Sequence, residues 1–171
     1  EPSLILADVT SPIVLRHNRF RCDRGWDIDL DDGSGNYHIY NNLCLNGGIK
    51  LREGFYRVVE NNIIVNNSFH PHVWFKNSGD VFTRNIVMSS YRPIQVRHWG
   101  LEVDYNIFTD STAYQKARKQ NTDAHSIVCT PAFLNPSRGD YRIDNHSDAV
   151  FRCGFRNFDM DRFGVVSPRL K

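Results

Sequence analysis

Trp26-Asp27-Ile28-Asp29-Leu30-Asp31-Asp32-Gly33 sets carboxylates at alternate positions, and Lys50-Leu51-Arg52-Glu53-Gly54 follows it downstream. In an extended strand, residues two apart share a face. Asp27, Asp29 and Asp31 are therefore expected to point outward together, with Ile28 and Leu30 inward. A row of like charges is repulsive, and a fold keeps one where a cation or a reaction is served. If the two segments lie on neighbouring parallel strands, ~4.8 Å apart, an aspartate of the first comes close to Glu53 of the second. That approaches the ~5–5.5 Å between the carboxyl groups of retaining glycosidases and falls short of the ~6.5–9.5 Å of inverting ones. The step to Glu53 is 22 residues from Asp31 and 24 from Asp29; Asp32 matches Glu53 when the glycines are aligned. An acid/base and nucleophile pair needs its pKa values pushed apart, and Lys50 and Arg52 are suited to keep one carboxylate ionised.

The same residues admit plainer readings. Carboxylates facing Lys and Arg on the next strand form a surface salt-bridge ladder, worth little stability. Asp27-Asp29-Asp31-Gly33 partly matches a calcium loop, but Ile28 and Leu30 fit a strand interior, Gly33 falls one place late and His38 stands at the twelfth position. Calcium held between coils is a separate option. Trp74 is a candidate platform for a pyranose ring, or the cover of a loop. His70 and His72 lack a third metal ligand in register. Arg97 is the next outward cation, followed by His98 and Trp99. The substrate-binding candidates are thus Arg52, Lys50, Asp32, His72, Trp74 and Arg97; no metal ligand and no cofactor is expected.

What would hold these residues in place is an internal repeat. Asn18, Asn42, Asn62, Asn85 and Asn106 recur at gaps of 24, 20, 23 and 21 residues, the mark of a stacked architecture. Three residues before them stand Leu15, Ile39, Val59, Phe82 and Val103; two after them stand Phe20, Cys44, Ile64, Val87 and Phe108. The runs are rich in β-branched and aromatic residues broken by Asn, Gly, Asp and Ser, which favours strands. Aligned asparagines at a corner are expected to hydrogen-bond from coil to coil. A further column pairs Ile28/Leu30 with Ile49/Leu51, Val73/Phe75 and Ile94/Val96 as interior residues, each segment turning at Gly33, Gly54, Gly79 or Gly100. The expected fold is all-β, a parallel β-helix (a single-stranded solenoid of about five coils) over residues 1–109, with an irregular capping segment over 110–171. Within that segment, Ser111–Asn121 suits a short helix or loop, and 131–136 with 139–143 suits a strand pair. The aromatic-rich end is expected to cover the last coil.

Net charge is +2 with 23% charged residues, and neither a basic run for nucleic acid nor a membrane-length apolar run is present. Cys22, Cys44, Cys129 and Cys153 show no metal spacing; Cys44, in an interior column, is expected to be a free buried thiol. Asn66-Asn67-Ser68 and Asn145-His146-Ser147 match the glycosylation triplet. The chain begins in mid-pattern, so its expected companion is the N-terminal remainder of a longer chain.

Asp27 to Ser34, Asn36 to Cys44 and Ile49 to Gly54 resemble the parallel β-helix glycoside hydrolases that include bacterial β-xylosidases. The closing Gly154-Phe155-Arg156-Asn157-Phe158-Asp159-Met160-Asp161 and Phe163-Gly164-Val165 resemble the end of the same proteins. The resemblance covers essentially the whole chain, as the C-terminal part of that fold. It implies a right-handed helix and a retaining mechanism with an Asp nucleophile on one coil and a Glu acid/base on the next. Glu53 is then the acid/base, and the nucleophile is Asp31 in first place, Asp29 in second, with Asp32 open. The expected substrate is an oligosaccharide or polysaccharide of plant-type or host glycans, and the expected location is secreted or periplasmic. A calcium-dependent polysaccharide lyase and a non-catalytic glycan-binding β-helix are the alternatives.

Overall fold

Short β-branched runs separated by turn residues are too short to be stable alone, so they bury their apolar side by stacking coil on coil. A computed structural model describes residues 2–144, 147, 150 and 152–164, and shows this arrangement. It is a parallel β-helix of about six turns with three faces. The first face carries Ile13–Arg16, Tyr37–Tyr40, Arg57–Glu60, Val81–Thr83 and Glu102–Asp104. The second carries Arg19–Phe20, Leu43–Cys44, Ile63–Ile64, Ile86–Val87, Ile107–Phe108 and Ile127–Val128. The third carries Ile28–Leu30, Ile49–Arg52 and Phe69–His72. All pairings on these faces are parallel.

Both repeat columns hold residue for residue. Leu15, Ile39, Val59, Phe82 and Val103 are register partners on the first face. Phe20, Cys44, Ile64, Val87 and Phe108 are partners on the second, extended by Val128. Phe69 and Phe82 stack at 3.9 Å inside the prism. At the corner between these faces, Asn18 donates from its backbone N–H and its Nδ2 to Asn42 Oδ1, Asn42 does the same to Asn62, Asn62 to Asn85 and Asn85 to Asn106. The ladder ends on Ser126 and Asp123. Each residue before a ladder asparagine, from His17 to Tyr105, has a positive φ of 53° to 56°. Side-chain amides thus satisfy backbone groups that a left-handed corner takes out of the strand ladder.

The helix Ser111–Arg118 is capped by Asp110 and packs Ala113 and Ala117 against the inner core. Phe133–Asn135 and Asp140–Ile143 form the expected antiparallel pair. The aromatic end, however, does more than cover the last coil. Phe155, Phe158 and Met160 lie on the outward column Leu43, Ile63, Ile86 and Ile107 of the second face, and Asn61 Nδ2 donates to the Arg156 carbonyl. Two-residue strands with aliphatic side chains on both faces need such a second apolar layer.

All four cysteines are free, and burial pushes the Cys44 thiol well up. Asn66 of one glycosylation triplet is exposed; Asn145 of the other, and Val165 of the closing motif, lie outside the described residues. Among those described, no helix is long and apolar enough to cross a membrane.

Candidate active site on the third face

Register on the third face decides which charged side chains meet. Ile28, Ile49 and Phe69 are partners, as are Asp29, Lys50 and His70, then Leu30, Leu51 and Pro71; Arg52 pairs with His72. The interior column therefore continues through Phe69 and Pro71. Phe75 and Ile94 do not occupy it, being 40% and 52% exposed, and Val73 is at a left-handed step; Val96 does pack, half-buried, against the inner core. Proline in this strand sits at the edge of the regular sheet, where a missing N–H is tolerated; beyond it, a single bridge joins His72 to Ile94.

Alternation puts Asp29, Asp31, Lys50, Arg52, His70 and His72 outward. Lys50 Nζ lies 2.9 Å from Asp29 Oδ1 and 3.1 Å from Asp31 Oδ1. The Trp26 ring covers it, 4.4 Å from Nζ, so the Lys50 side chain is only 6% exposed. Burial works against its ammonium, but the hydrogen bonds to Asp29 and Asp31 outweigh it and raise the Lys50 pKa. The same bond from Lys50 holds the Asp31 carboxyl below the usual carboxylate range. Trp26 is a member of the site that the sequence pattern did not single out, because its place at the strand entrance looks like ordinary loop cover.

Extending the register sets Asp31 beside Arg52 and Asp32 beside Glu53. Arg52 joins them: its Nη1 is 3.7 Å from Asp31, its Nε 3.2 Å from Asp32 and its Nη2 3.7 Å from Glu53. Glu53 itself stands at φ 35°. Its backbone N–H donates to the His72 carbonyl, and its own carbonyl accepts from Gly33. The left-handed step interrupts strand alternation, so Glu53 follows Arg52 around the same edge. Gly54 owes its place to crowding: a Cβ there would meet the Ser34 carbonyl and the Arg57 guanidinium. That guanidinium is fully buried, pairs with Asp80 at 2.6 Å and donates to the Arg52 carbonyl at 2.8 Å.

Three expected residues sit elsewhere. Asp27 does not share the outward row. Its Oδ1 accepts from the Cys22 N–H and its Oδ2 from those of Asn46, Gly47 and Gly48, binding the loop of the next coil. Trp74 is buried in the core and its Nε1 donates to the Leu51 carbonyl at 3.0 Å, so it offers no ring to a sugar. Arg97 lies away from the carboxylates, exposed in a cleft with Val73, Phe75, Lys76, Gln95 and His98.

His70 and His72 stack edgewise against Trp26 at 6.0 and 6.1 Å. Burial pushes His70 down to about 4, helped by Arg92 and His72; its Nε2 is 2.8 Å from Asn67 Oδ1. His72 is lowered too, by burial first and then by Lys50 and Arg52. Its Nε2 is buried with no hydrogen-bond partner among the described residues. Both rings are therefore neutral walls of the Lys50 pocket at pH 7. Among the described residues no three His, Cys, Asp or Glu groups converge as a metal site; the Lys50 ammonium fills the place between Asp29 and Asp31. Comparison with family models, curated proteins and solved structures finds no match.

Proposed function

We propose that this third face is the catalytic edge of a retaining, β-xylosidase-like glycoside hydrolase. The observation that carries the reading is Arg52, one guanidinium within 3.7 Å of carboxylates from two successive rungs, Asp31 and Asp32 on one and Glu53 on the other. Retaining chemistry needs such a pair at close, fixed spacing, with one member ionised. Asp31, held ionised by Lys50, is the nucleophile. Its oxygen bonds to the anomeric carbon as the glycosidic C–O bond breaks, while Glu53 gives its proton to the leaving oxygen. Glu53 then takes a proton from water, whose oxygen displaces Asp31 and restores the starting acid. Asp29, locked on Lys50 beyond Arg52, serves as the counter-charge that keeps the ammonium in place. Proton NMR of a β-xyloside digest tests this: β-xylose as the first product supports it, and α-xylose or no release overturns it.

A non-catalytic glycan-binding β-helix is the second reading. It is favoured by the same ion pairs, since a ladder of paired charges is also an ordinary solvated surface. Sugar binding that survives loss of Asp31 and Glu53 would select it. A calcium-dependent lyase draws less support, because Lys50 and Arg52 neutralise the carboxylates that would hold the cation.

A further inference from the structure

The cleft that holds Arg97 has a volume of about 660 Å³ and is lined by Val73, Trp74, Phe75, Lys76, Gln95, Arg97 and His98.

 No acidic residue lines it, and Lys76, Arg97 and His98 form no ion pair among the described residues. On the preceding rungs, by contrast, Lys50 and Arg52 are matched by carboxylates. The cleft also carries an apolar floor, for Phe75 is 40% exposed and stacks on Phe55 at 5.2 Å.

Its position relative to Glu53 follows from the corner that ends the third face. Glu53, Val73 and Gln95 each take a positive φ, of 35°, 52° and 51°. The Glu53 N–H donates to the His72 carbonyl and the Val73 N–H to the Ile94 carbonyl, so the three residues stack rung on rung. Val73 and Gln95 open the cleft while Glu53 stands one rung before it, a distance of ~4.8 Å. A pyranose ring is about one rung high, so a unit attached to a sugar held at the Arg52 cluster reaches the cleft.

We propose that this cleft is a subsite for a carboxylate-bearing sugar, a uronate attached to the glycan whose linkage is cut beside Glu53. The inference rests on the hydrolase reading above. Phe75 takes the apolar face of the ring, Lys76 and Arg97 supply charge-assisted hydrogen bonds to the carboxylate, and His98 borders it with a further polar ring. An arginine fork suits a planar carboxylate better than a neutral hydroxyl.

The test compares xylotriose with xylotriose carrying a glucuronic acid branch, using the unaltered protein, Arg97→Gln and Lys76→Gln. Hydrolysis is read as the ratio of kcat/KM for the acidic over the neutral sugar. Binding of both sugars is read by calorimetry on Glu53→Gln, with and without Arg97→Gln. The expected result is a preference for the acidic sugar that falls about tenfold in Arg97→Gln, the size of one charged hydrogen bond, in hydrolysis and binding alike. Selective binding without hydrolysis of either sugar keeps the subsite and removes the hydrolase. Hydrolysis without acidic preference, or a preference indifferent to Arg97 and Lys76, keeps the hydrolase and overturns the subsite. Neither binding nor hydrolysis overturns both.

Discussion

Lys50 and Asp29 are register partners on adjacent rungs, and the Lys50 ammonium lies 2.9 Å from the Asp29 carboxylate while also reaching Asp31. One cation thus separates two like charges that strand alternation forces onto one face. Replacing it exposes what it does. In Lys50→Met the Asp31 carboxyl loses the bond that lowers its pKa, so its titration moves upward. The acidic limb of the pH–rate profile, which requires ionised Asp31, is expected to shift to higher pH. An unmoved limb would mean that Asp31 is not the group seen in the profile.

The pair beneath the site is structural. Arg57 and Asp80 are both fully buried, and breaking such a pair leaves an uncompensated charge at a cost of ~3–5 kcal/mol. Asp80→Ala is expected to lose that much in urea unfolding. Arg57→Met combined with Asp80→Leu should recover much of it, since no charge is then left alone. The double variant also frees the Arg52 carbonyl from its Arg57 donor, so activity is expected to stay low while stability returns.

His70 gives the fold a pH dependence of definite sign. Its folded pKa is about 4 against an ordinary 6.5, so between these values the unfolded chain binds a proton that the folded one refuses. Stability is expected to fall as pH drops from 6.5 towards 4, with no contribution from His70 above that window. Thermal melts across this range should show the slope flattened in His70→Gln, and the His70 ring should titrate near 4 by NMR. A ring titrating near 6.5 would contradict the burial argument.

The asparagine ladder should weaken unevenly. Asn62 is buried, donates to Asn85, Ile39 and Glu60, and accepts from Asn42, so Asn62→Ala strands several backbone groups. At ~1–3 kcal/mol for each buried group left unsatisfied, a loss of about 3 kcal/mol is expected. Asn18, at the first rung and partly exposed, should cost ~1 kcal/mol. Chemical denaturation of the two variants checks the order; equal losses would argue against a buried ladder.

The repeat was legible because two columns and the ladder carry the same residue types at every rung, from Leu15 to Val103 and from Asn18 to Asn106. The third face was less so. Phe69-His70-Pro71-His72 is a strand that a proline disguises, and the left-handed steps at Glu53, Val73 and Gln95 break the alternation on which Val73/Phe75 had been aligned. Trp74 followed that error: alternation turned it outward, whereas the kink at Val73 sends it into the core. Asp27 was misplaced for a different reason. Its acceptors are used by backbone N–H groups of the next coil, and a sequence shows side chains but not the amides they will meet. The pairing of Asp29, Asp31, Lys50 and Arg52 needed only the one-coil offset, which the repeat supplies.

The most direct measurement of the central claim is turnover of xylobiose by Glu53→Gln beside the unaltered protein, with folding of both checked by circular dichroism. Loss of the general acid is expected to lower kcat by about 10²–10⁴-fold with the melting curve unchanged. Turnover by Glu53→Gln equal to that of the unaltered protein would contradict the account.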